Sequence, residues 1–276
     1  MNKPSSMNLN QIDPATDVHS AVSGACMVVI PAFNEAGSIA KVISKVPREL
    51  PGFARVSILV VNDGSRDDTV KVAFAAGADY VYSSPRNQGL GAAVLFGLKQ
   101  AYQLGAEAAV MIDADNEYPA EQIPELVQPI VNGQADYVLG SRFLKTVQGM
   151  KAYRRIGNRV FTWLQAKLLR LELTDGQTGM RAFKREVLRD LDIIHAYNYA
   201  QVMTLNIVRQ NYLLQEIAID YQVRTEGASF INWTYIHKVI PAIIRELTTA
   251  PSGRVSRVQT RYDRLPHKIG YPANQK

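Results

Sequence analysis

Short apolar segments alternate with segments of helical pattern through the first half of this 276-residue chain. Residues 56–61 (VSILVV) form a nearly continuous apolar run, which is typical of a strand covered on both faces. Further short strands are predicted at 79–82, 108–112 and 137–139, each separated from the next by a helical pattern. This alternation predicts an α/β fold with a mostly parallel sheet flanked by helices on both faces.

The predicted domain organisation is one central domain, residues 25–230, between less regular ends. Residues 1–24 are polar, without the apolar core of a signal peptide, and predict a flexible N-terminal tail. The apolar residues of 231–249 fall on one helical face and predict an amphipathic C-terminal helix. Residues 250–276 carry six Lys or Arg against one acid and predict a basic flexible tail.

The sequence favours a cytoplasmic protein. No apolar run reaches the roughly 18 residues that a membrane-spanning helix requires. The single cysteine, Cys26, excludes an intramolecular disulfide and fits a reducing compartment. The amphipathic helix and basic tail are compatible with peripheral contact with the inner, anionic face of a membrane, and equally with the helix packing on the domain itself.

Polar and acidic residues follow three of the predicted strands. The three clusters are residues 31–35 (PAFNE), 62–65 (NDGS) and 113–115 (DAD). The carboxyl ends of parallel strands meet at one edge of a sheet, which is where ligands bind in such folds. Helix capping explains any one cluster but not all three together. We therefore expect one crevice lined by all three.

Asp113 and Asp115 are two residues apart, so in an extended segment both carboxylates point to one side. Two such carboxylates form a hard oxygen site suited to Mg²⁺ or Mn²⁺, and such an ion can bridge a diphosphate. This spacing is common by chance, so on its own it is weak evidence.

A basic segment lies further along the chain. Residues 137–171 contain eight Lys or Arg and no acid, which fits a phosphate-bearing ligand, although a solvated helix face is the alternative. A loop with the sequence TDGQTG follows at 174–179.

Six motifs, in this order and spacing, resemble family 2 glycosyltransferases, and most of all the dolichyl- and polyprenyl-phosphate mannose or glucose synthases. They are 28–35 (VVIPAFNE), 60–67 (VVNDGSRD), 86–91 (RNQGLG), 113–115 (DAD), 140–143 (GSRF) and 175–183 (DGQTGMRAF). The resemblance covers residues 26–230. It implies a GT-A-like nucleotide-sugar-binding fold and a metal-dependent, inverting transfer of a hexose from a UDP- or GDP-sugar to a polyprenyl phosphate.

The resemblance also implies roles for residues at the matching positions. Those implied for binding the donor are Pro31, Phe33, Glu35, Asp63, Ser65 and Asp113. Those implied for the metal are Asp113, Asp115 and Glu117. The family usually has glutamine where this chain has Glu117, a stronger anionic ligand, and glycine where it has Asn116.

Four arginines and one acid complete the implied site. Arg142 would contact phosphate, and Arg154 or Arg155 would contact the acceptor phosphate, as would Arg224. The family motif that contains Arg224 usually ends in Ser-Lys, whereas Phe230 follows the serine here. Asp175 is the candidate base or orienting group, with a turn-forming role beside Gly176 as the structural alternative.

Three functions stay open on the sequence alone. The first is the polyprenyl-phosphate glycosyl synthase, and the second is a soluble family 2 enzyme acting on a small anionic or natural-product acceptor. The third is a non-catalytic module that binds a nucleotide-sugar or an anionic lipid. A dinucleotide site is excluded because Val94 stands where the third glycine of that fingerprint belongs, and no nucleic-acid partner is expected.

Overall fold

The computed structural model describes residues 24–145, 147, 149–192, 199–222, 241, 243–248 and 262–264. Its strands are β1 (Gly24–Ala32), β2 (Phe53–Asn62), β3 (Tyr80–Ser83), β4 (Ala106–Met111), β5 (Tyr137–Ser141), β6 (Arg181–Lys184), β7 (Leu214–Ala218) and β8 (Asp263–Arg264). They form one sheet in the order β7-β5-β6-β4-β1-β2-β3-β8.

The sheet is mostly parallel, as predicted. β1 to β5 and β7 all run the same way, and β6 and β8 are antiparallel to their neighbours. β6 lies between β4 and β5, with Arg181 opposite Met111. The amino end of β6 therefore reaches the same sheet edge as the carboxyl ends of the parallel strands.

Helices cover both faces of the sheet. They are α1 (Ile39–Lys45), α2 (Thr69–Ala75), α3 (Leu90–Gln103), α4 (Ile123–Val131), α5 (Ala152–Leu169), α6 (Arg185–Asp190) and α7 (Tyr199–Arg209). Apolar side chains of α1, α2 and α4 pack on one face, and those of α3, α6 and α7 on the other. The fold-class prediction is confirmed.

The central strands are buried on both sides because their sequences are apolar without alternation. Ile58 to Val61 of β2 are fully inaccessible to solvent, as the continuous apolar run predicted. Cys26 of β1 is also fully buried, and burial raises the pKa of its thiol to about 12. A buried thiol of this kind is part of the core packing rather than a reactive group.

The ends of the chain differ in part from the prediction. The predicted N-terminal tail lies outside the described residues, apart from Gly24, which begins β1. Of the predicted C-terminal helix, residues 243–248 are described and helical, and Ile243 is buried against Leu205 of α7 and Phe161 of α5. This part of the helix packs on the domain. Residues 262–264, predicted to be part of a flexible tail, end in strand β8 instead.

Within the described part of the chain, no helix combines the length and the apolar character needed to cross a bilayer.

Candidate functional site

The loops that follow β1 and β2 are joined by reciprocal hydrogen bonds. The backbone N–H of Asn34 donates to Oγ of Ser65 (2.8 Å), and the backbone N–H of Arg66 donates to Oδ1 of Asn34 (2.8 Å). The backbone N–H of Glu35 donates to Oγ1 of Thr69 (2.9 Å). These bonds bring the first two predicted clusters together at one sheet edge.

The predicted donor residues lie along this edge. Pro31 is buried at the end of β1, and Phe33 and Glu35 beyond it are partly exposed. Ser38 donates from its hydroxyl to Oε2 of Glu35 (2.6 Å), which fixes that carboxylate beside the start of α1. Ser65 is partly exposed and holds the neighbouring loop through Asn34.

Asp63 is almost completely buried at the end of β2, with 2% of its surface exposed. Its Oδ1 accepts a hydrogen bond from the backbone N–H of Gln88 (2.8 Å), and its Oδ2 accepts one from that of Gly89 (2.8 Å). The carboxylate therefore fixes the turn that leads into α3, and charge-assisted bonds of this kind are the stronger ones.

Gly64 is required where it stands. Its φ of +77° lies in the left-handed region, and a Cβ there would sit 2.5 Å from the backbone carbon of Arg86. Any side chain would push the loop after β2 away from the segment after β3, so only glycine fits.

The acids after β4 lie close enough to affect one another. Burial, together with the carboxylates of Asp115 and Glu117, raises the pKa of Asp113 well above its usual range. Asp113 lies close to Gly179 in the loop before β6. A Cβ added to Gly179 would collide with the Asp113 carboxylate. The third predicted cluster therefore meets the TDGQTG loop.

Glu117 is paired with a predicted acceptor residue. Its Oε1 lies 3.2 Å from Nη1 of Arg154, its Oε2 lies 3.5 Å from Nη2, and the residue is 3% exposed. Within the ranges that the structure describes, no three or more His, Cys, Asp or Glu side chains are grouped as metal ligands. The predicted set of Asp113, Asp115 and Glu117 is therefore not assembled as a three-carboxylate cage.

The chemistry of Asp113 and Asp115 nevertheless fits a divalent ion. Mg²⁺ bound with a diphosphate typically takes one or two carboxylates, the other ligands being phosphate oxygens and water. Burial raises the pKa of Asp113 most, and repulsion from Asp115 and Glu117 adds to it; a cation bound between these carboxylates would relieve that repulsion.

Arg142 and Asp175 form a buried bidentate ion pair. Nε of Arg142 lies 2.6 Å from Oδ2 of Asp175, and Nη2 lies 2.9 Å from Oδ1. Asp175 also accepts bonds from the backbone N–H of Arg142 (3.1 Å) and of Gln177 (3.2 Å), and it is fully buried. Both oxygens are occupied, so this geometry favours the orienting and turn-forming roles of Asp175 over that of a base.

Two residues that the sequence analysis did not single out hold the TDGQTG loop (174–179) in place. Glu216 of β7 accepts bonds from the backbone N–H groups of Thr174 and Asp175, both at 2.8 Å, and burial raises its pKa. The hydroxyl of Tyr118 accepts a bond from the backbone N–H of Gly179 (2.8 Å). Their one sequence signal was position: Glu216 is an acid among the apolar residues of β7, and Tyr118 follows the acidic cluster.

Helix α5 begins at the crevice and carries the other predicted cations. Arg154 reaches inward to Glu117, whereas Arg155 is exposed. Arg224 lies outside the described residues.

The outer face of α5 is apolar and exposed. Tyr153, Ile156, Val160 and Trp163 are each more than half exposed, at spacings of three and four residues that place them on one helical face. The opposite face packs through Phe161 and other apolar side chains against α7 and residues 243–248. An exposed apolar stripe of this size on a cationic helix is typical of an interaction surface.

The fold is that of the GT-A glycosyltransferases, the class to which the solved structures of similar fold belong. One of these is glucosyl-3-phosphoglycerate synthase from Mycobacterium tuberculosis, in complex with Mn²⁺, UDP and glucosyl-3-phosphoglycerate. It has a TM-score of 0.66 and 22% identity, covering 83% of this chain and 82% of that one. At this identity the likeness establishes the fold alone.

The sequence identifies the family. Residues 27–192 match the family described as Glycosyl transferase family 2, and the chain belongs to it. A UDP-N-acetylglucosamine–dolichyl-phosphate N-acetylglucosaminyltransferase of Methanococcus voltae is 32% identical, over 59% of this chain and 71% of that protein. A dolichyl-phosphate hexose transferase of Haloferax volcanii is 31% identical, over 71% and 82%. The polyprenol monophosphomannose synthase of Mycolicibacterium smegmatis is 28% identical, over 78% and 83%.

Proposed function

We propose that this enzyme transfers a hexose from a nucleotide-sugar to a polyprenyl phosphate, with inversion at the anomeric carbon and dependence on a divalent metal. The observation that carries the acceptor assignment is α5, which combines cations at the crevice with an exposed apolar stripe. A lipid phosphate needs both features, whereas a small anionic acceptor needs only the cations. The relatives that act on dolichyl or polyprenyl phosphates support the same choice.

The donor would lie over the loops after β1, β2 and β4. Pro31, Phe33, Glu35, Asp63 and Ser65 would hold the nucleoside, and Asp113 the diphosphate end. Asp113 and Asp115 would hold Mg²⁺ or Mn²⁺. A metal bound there would neutralise the charge that develops on the leaving nucleotide.

The reaction needs little help from a base. A phosphate acceptor is already ionised at neutral pH, so attack at the anomeric carbon depends on positioning and on charge neutralisation. This agrees with Asp175 having both oxygens occupied by the pairing with Arg142 and by backbone N–H groups. We propose that Asp175 orients Arg142, whose charge opposes the effect of the neighbouring acids on the pKa of Asp113.

Arg154 and Arg155 would receive the acceptor phosphate. In the structure Glu117 neutralises Arg154, so the arrival of an anion at Arg154 must compete with that ion pair. With the phosphate there, the exposed apolar side chains of α5 would lie against the isoprenoid chain or the bilayer that contains it. The proposal therefore includes peripheral contact of the enzyme with an anionic membrane.

The test is a screen of donor, metal and acceptor. The full chain is incubated with UDP- and GDP-sugars and Mn²⁺ or Mg²⁺, with a short-chain polyprenyl phosphate or with phosphoglycerate, and nucleotide release is followed. We expect release that requires both metal and lipid phosphate and that is lost in Asp115→Ala. Release driven by phosphoglycerate alone would point to a small-acceptor enzyme, and nucleotide-sugar binding without turnover on any acceptor would point to a binding module.

A further inference from the structure

Tyr262 joins the C-terminal end of the chain to the crevice. It precedes β8, which pairs antiparallel with β3 through Tyr82 opposite Arg264 and Ser83 opposite Asp263. The Tyr262 hydroxyl donates to Oδ1 of Asp63 (2.8 Å), a residue 199 positions earlier in the chain. Asp63 is the acid that fixes the turn into α3, so the C-terminal segment acts on that turn through one hydrogen bond.

The ring of Tyr262 is part of the core on the α3 face. It is 8% exposed, and its centroid lies 4.5 Å from that of Phe96, whose own centroid lies 5.2 Å from that of Tyr82. Aromatic rings at these separations attract one another in addition to the area that they bury.

The Tyr262 hydroxyl is fixed as a donor. Burial and the hydrogen bond to Asp63 raise its pKa above the ordinary value for tyrosine, so it stays protonated at neutral pH. Asp63 then has three donors, since Gln88 and Gly89 supply the other two from their backbones. Two of the three bonds fall on Oδ1 and one on Oδ2.

Tyr262 is either a fixed part of the donor site or a group that an arriving nucleotide displaces. Displacement would break the Asp63 bond, expose an aromatic ring and detach the segment that pairs with β3. Because all three contacts would be lost together, a fixed position of Tyr262 is the better account.

We propose that Tyr262 is a positioning residue of the nucleotide site, which holds the Asp63 carboxylate and the Gln88–Gly89 turn in the geometry that receives the donor nucleoside. The inference rests on the proposed function, in which Asp63 contacts the nucleoside. It makes the C-terminal segment 262–264 a part of the donor-binding half of the enzyme.

The test compares two tyrosine variants of the full chain. Tyr262→Phe keeps the ring and removes the hydroxyl. Tyr212→Phe is the matched control, because the Tyr212 hydroxyl also donates to a carboxylate, Oδ2 of Asp190 (2.6 Å), just before β7 and away from the carboxyl ends of the strands. Binding of UDP and of GDP with Mn²⁺ is measured by calorimetry, and donor KM, acceptor KM and kcat by nucleotide release.

We expect Tyr262→Phe to weaken nucleotide binding and raise the donor KM about 10-fold, as the loss of one bond to a charged group predicts. Its kcat and acceptor KM should stay within about 2-fold of wild type, and Tyr212→Phe should match wild type throughout. Unchanged nucleotide binding in Tyr262→Phe would overturn the inference. Tighter nucleotide binding in Tyr262→Phe would also overturn it, since that result is expected if the nucleotide displaces Tyr262.

A double variant tests whether the Tyr262 hydroxyl acts through Asp63. If Tyr262 acts through Asp63, then Asp63→Asn combined with Tyr262→Phe should bind nucleotide no more weakly than Asp63→Asn alone. Additive losses would show that the hydroxyl acts elsewhere and would overturn the inference. Failure of the wild type to bind either nucleotide would instead overturn the proposed function and the inference together, so the two failures are distinguishable.

Discussion

The donor side of the crevice and helix α5 are built in opposite ways. On the donor side, the loops after β1 and β2 are fixed by backbone N–H groups that donate to side-chain oxygens, and Asp63 is 2% exposed. On α5, Tyr153, Ile156 and Trp163 are more than 60% exposed. In the proposed function, the nucleotide half is held by hydrogen bonds within the chain, whereas the acceptor half presents apolar side chains that are exposed in the described structure.

The largest expected effect is on the buried ion pair between Arg142 and Asp175. Arg142→Ala leaves Asp175 charged and buried without its partner, which should lower the free energy of unfolding by about 3–5 kcal/mol. Urea unfolding measures this. The matched control is Lys145→Ala, whose ion pair with Asp220 is 42% and 60% exposed and should be worth less than about 1 kcal/mol. Equal losses in the two variants would contradict the structural role of the pair.

The second effect tests the rigidity of the donor side. Gly64→Ala adds a Cβ at positive φ against the backbone of Arg86, and we expect it to lower stability by about 1–3 kcal/mol and to weaken nucleotide binding. Gly105→Ala separates strain from collision, because Gly105 also has positive φ (+82°) but nothing lies within 4 Å of its added Cβ. If both variants lose the same stability and both keep nucleotide affinity, the close contact between the two loops has no role.

The third prediction concerns the open side. Ile156→Ser with Trp163→Ser should leave the free energy of unfolding within about 1 kcal/mol of wild type, because both side chains are exposed. The KM for polyprenyl phosphate in vesicles should rise about 10-fold, which corresponds to about 1.4 kcal/mol of lost apolar contact. The donor KM should not change. Leu213→Ser, which removes a side chain of similar exposure outside α5, is the control. An unchanged lipid KM in the double variant would remove α5 from the acceptor site.

The smallest effect lies where the two halves meet. Glu117→Gln removes a negative charge near Asp113 and releases Arg154 from its partner. We expect the acceptor KM to fall about 3-fold and the Mn²⁺ concentration for half-maximal activity to rise about 3-fold. Changes of this size are expected from the loss of one partly exposed ion pair. Glu121→Gln, at an exposed pair with Lys45, should change neither quantity. A rise in acceptor KM would mean that the Glu117–Arg154 pair aids acceptor binding.

The sequence predicted the alternation of strands and helices and the convergence of three polar clusters at one edge of the sheet, because both follow from local pattern. Apolar runs such as 56–61 report burial directly, and acids after parallel strands converge by geometry. The contacts of Glu216 with Thr174 and Asp175 were not predictable in this way, since they join segments about 40 residues apart. The pairing of Glu117 with Arg154 was hidden for the same reason, and so was strand β8, whose two residues carry no periodic signal.

The reversed direction of β6 has a consequence for how such enzymes diversify. Because β6 runs against β4, the segment before it arrives at the crevice from the second half of the chain, without passing through the loops that follow β1 and β2. In the proposed function, that segment can vary on the acceptor side while the loops after β1 and β2 keep their geometry, except where Gly179 packs against the Asp113 carboxylate. If the proposed roles hold, this reversed strand lets one continuous sheet keep its nucleotide-binding loops while the segment before β6 adapts to a different acceptor.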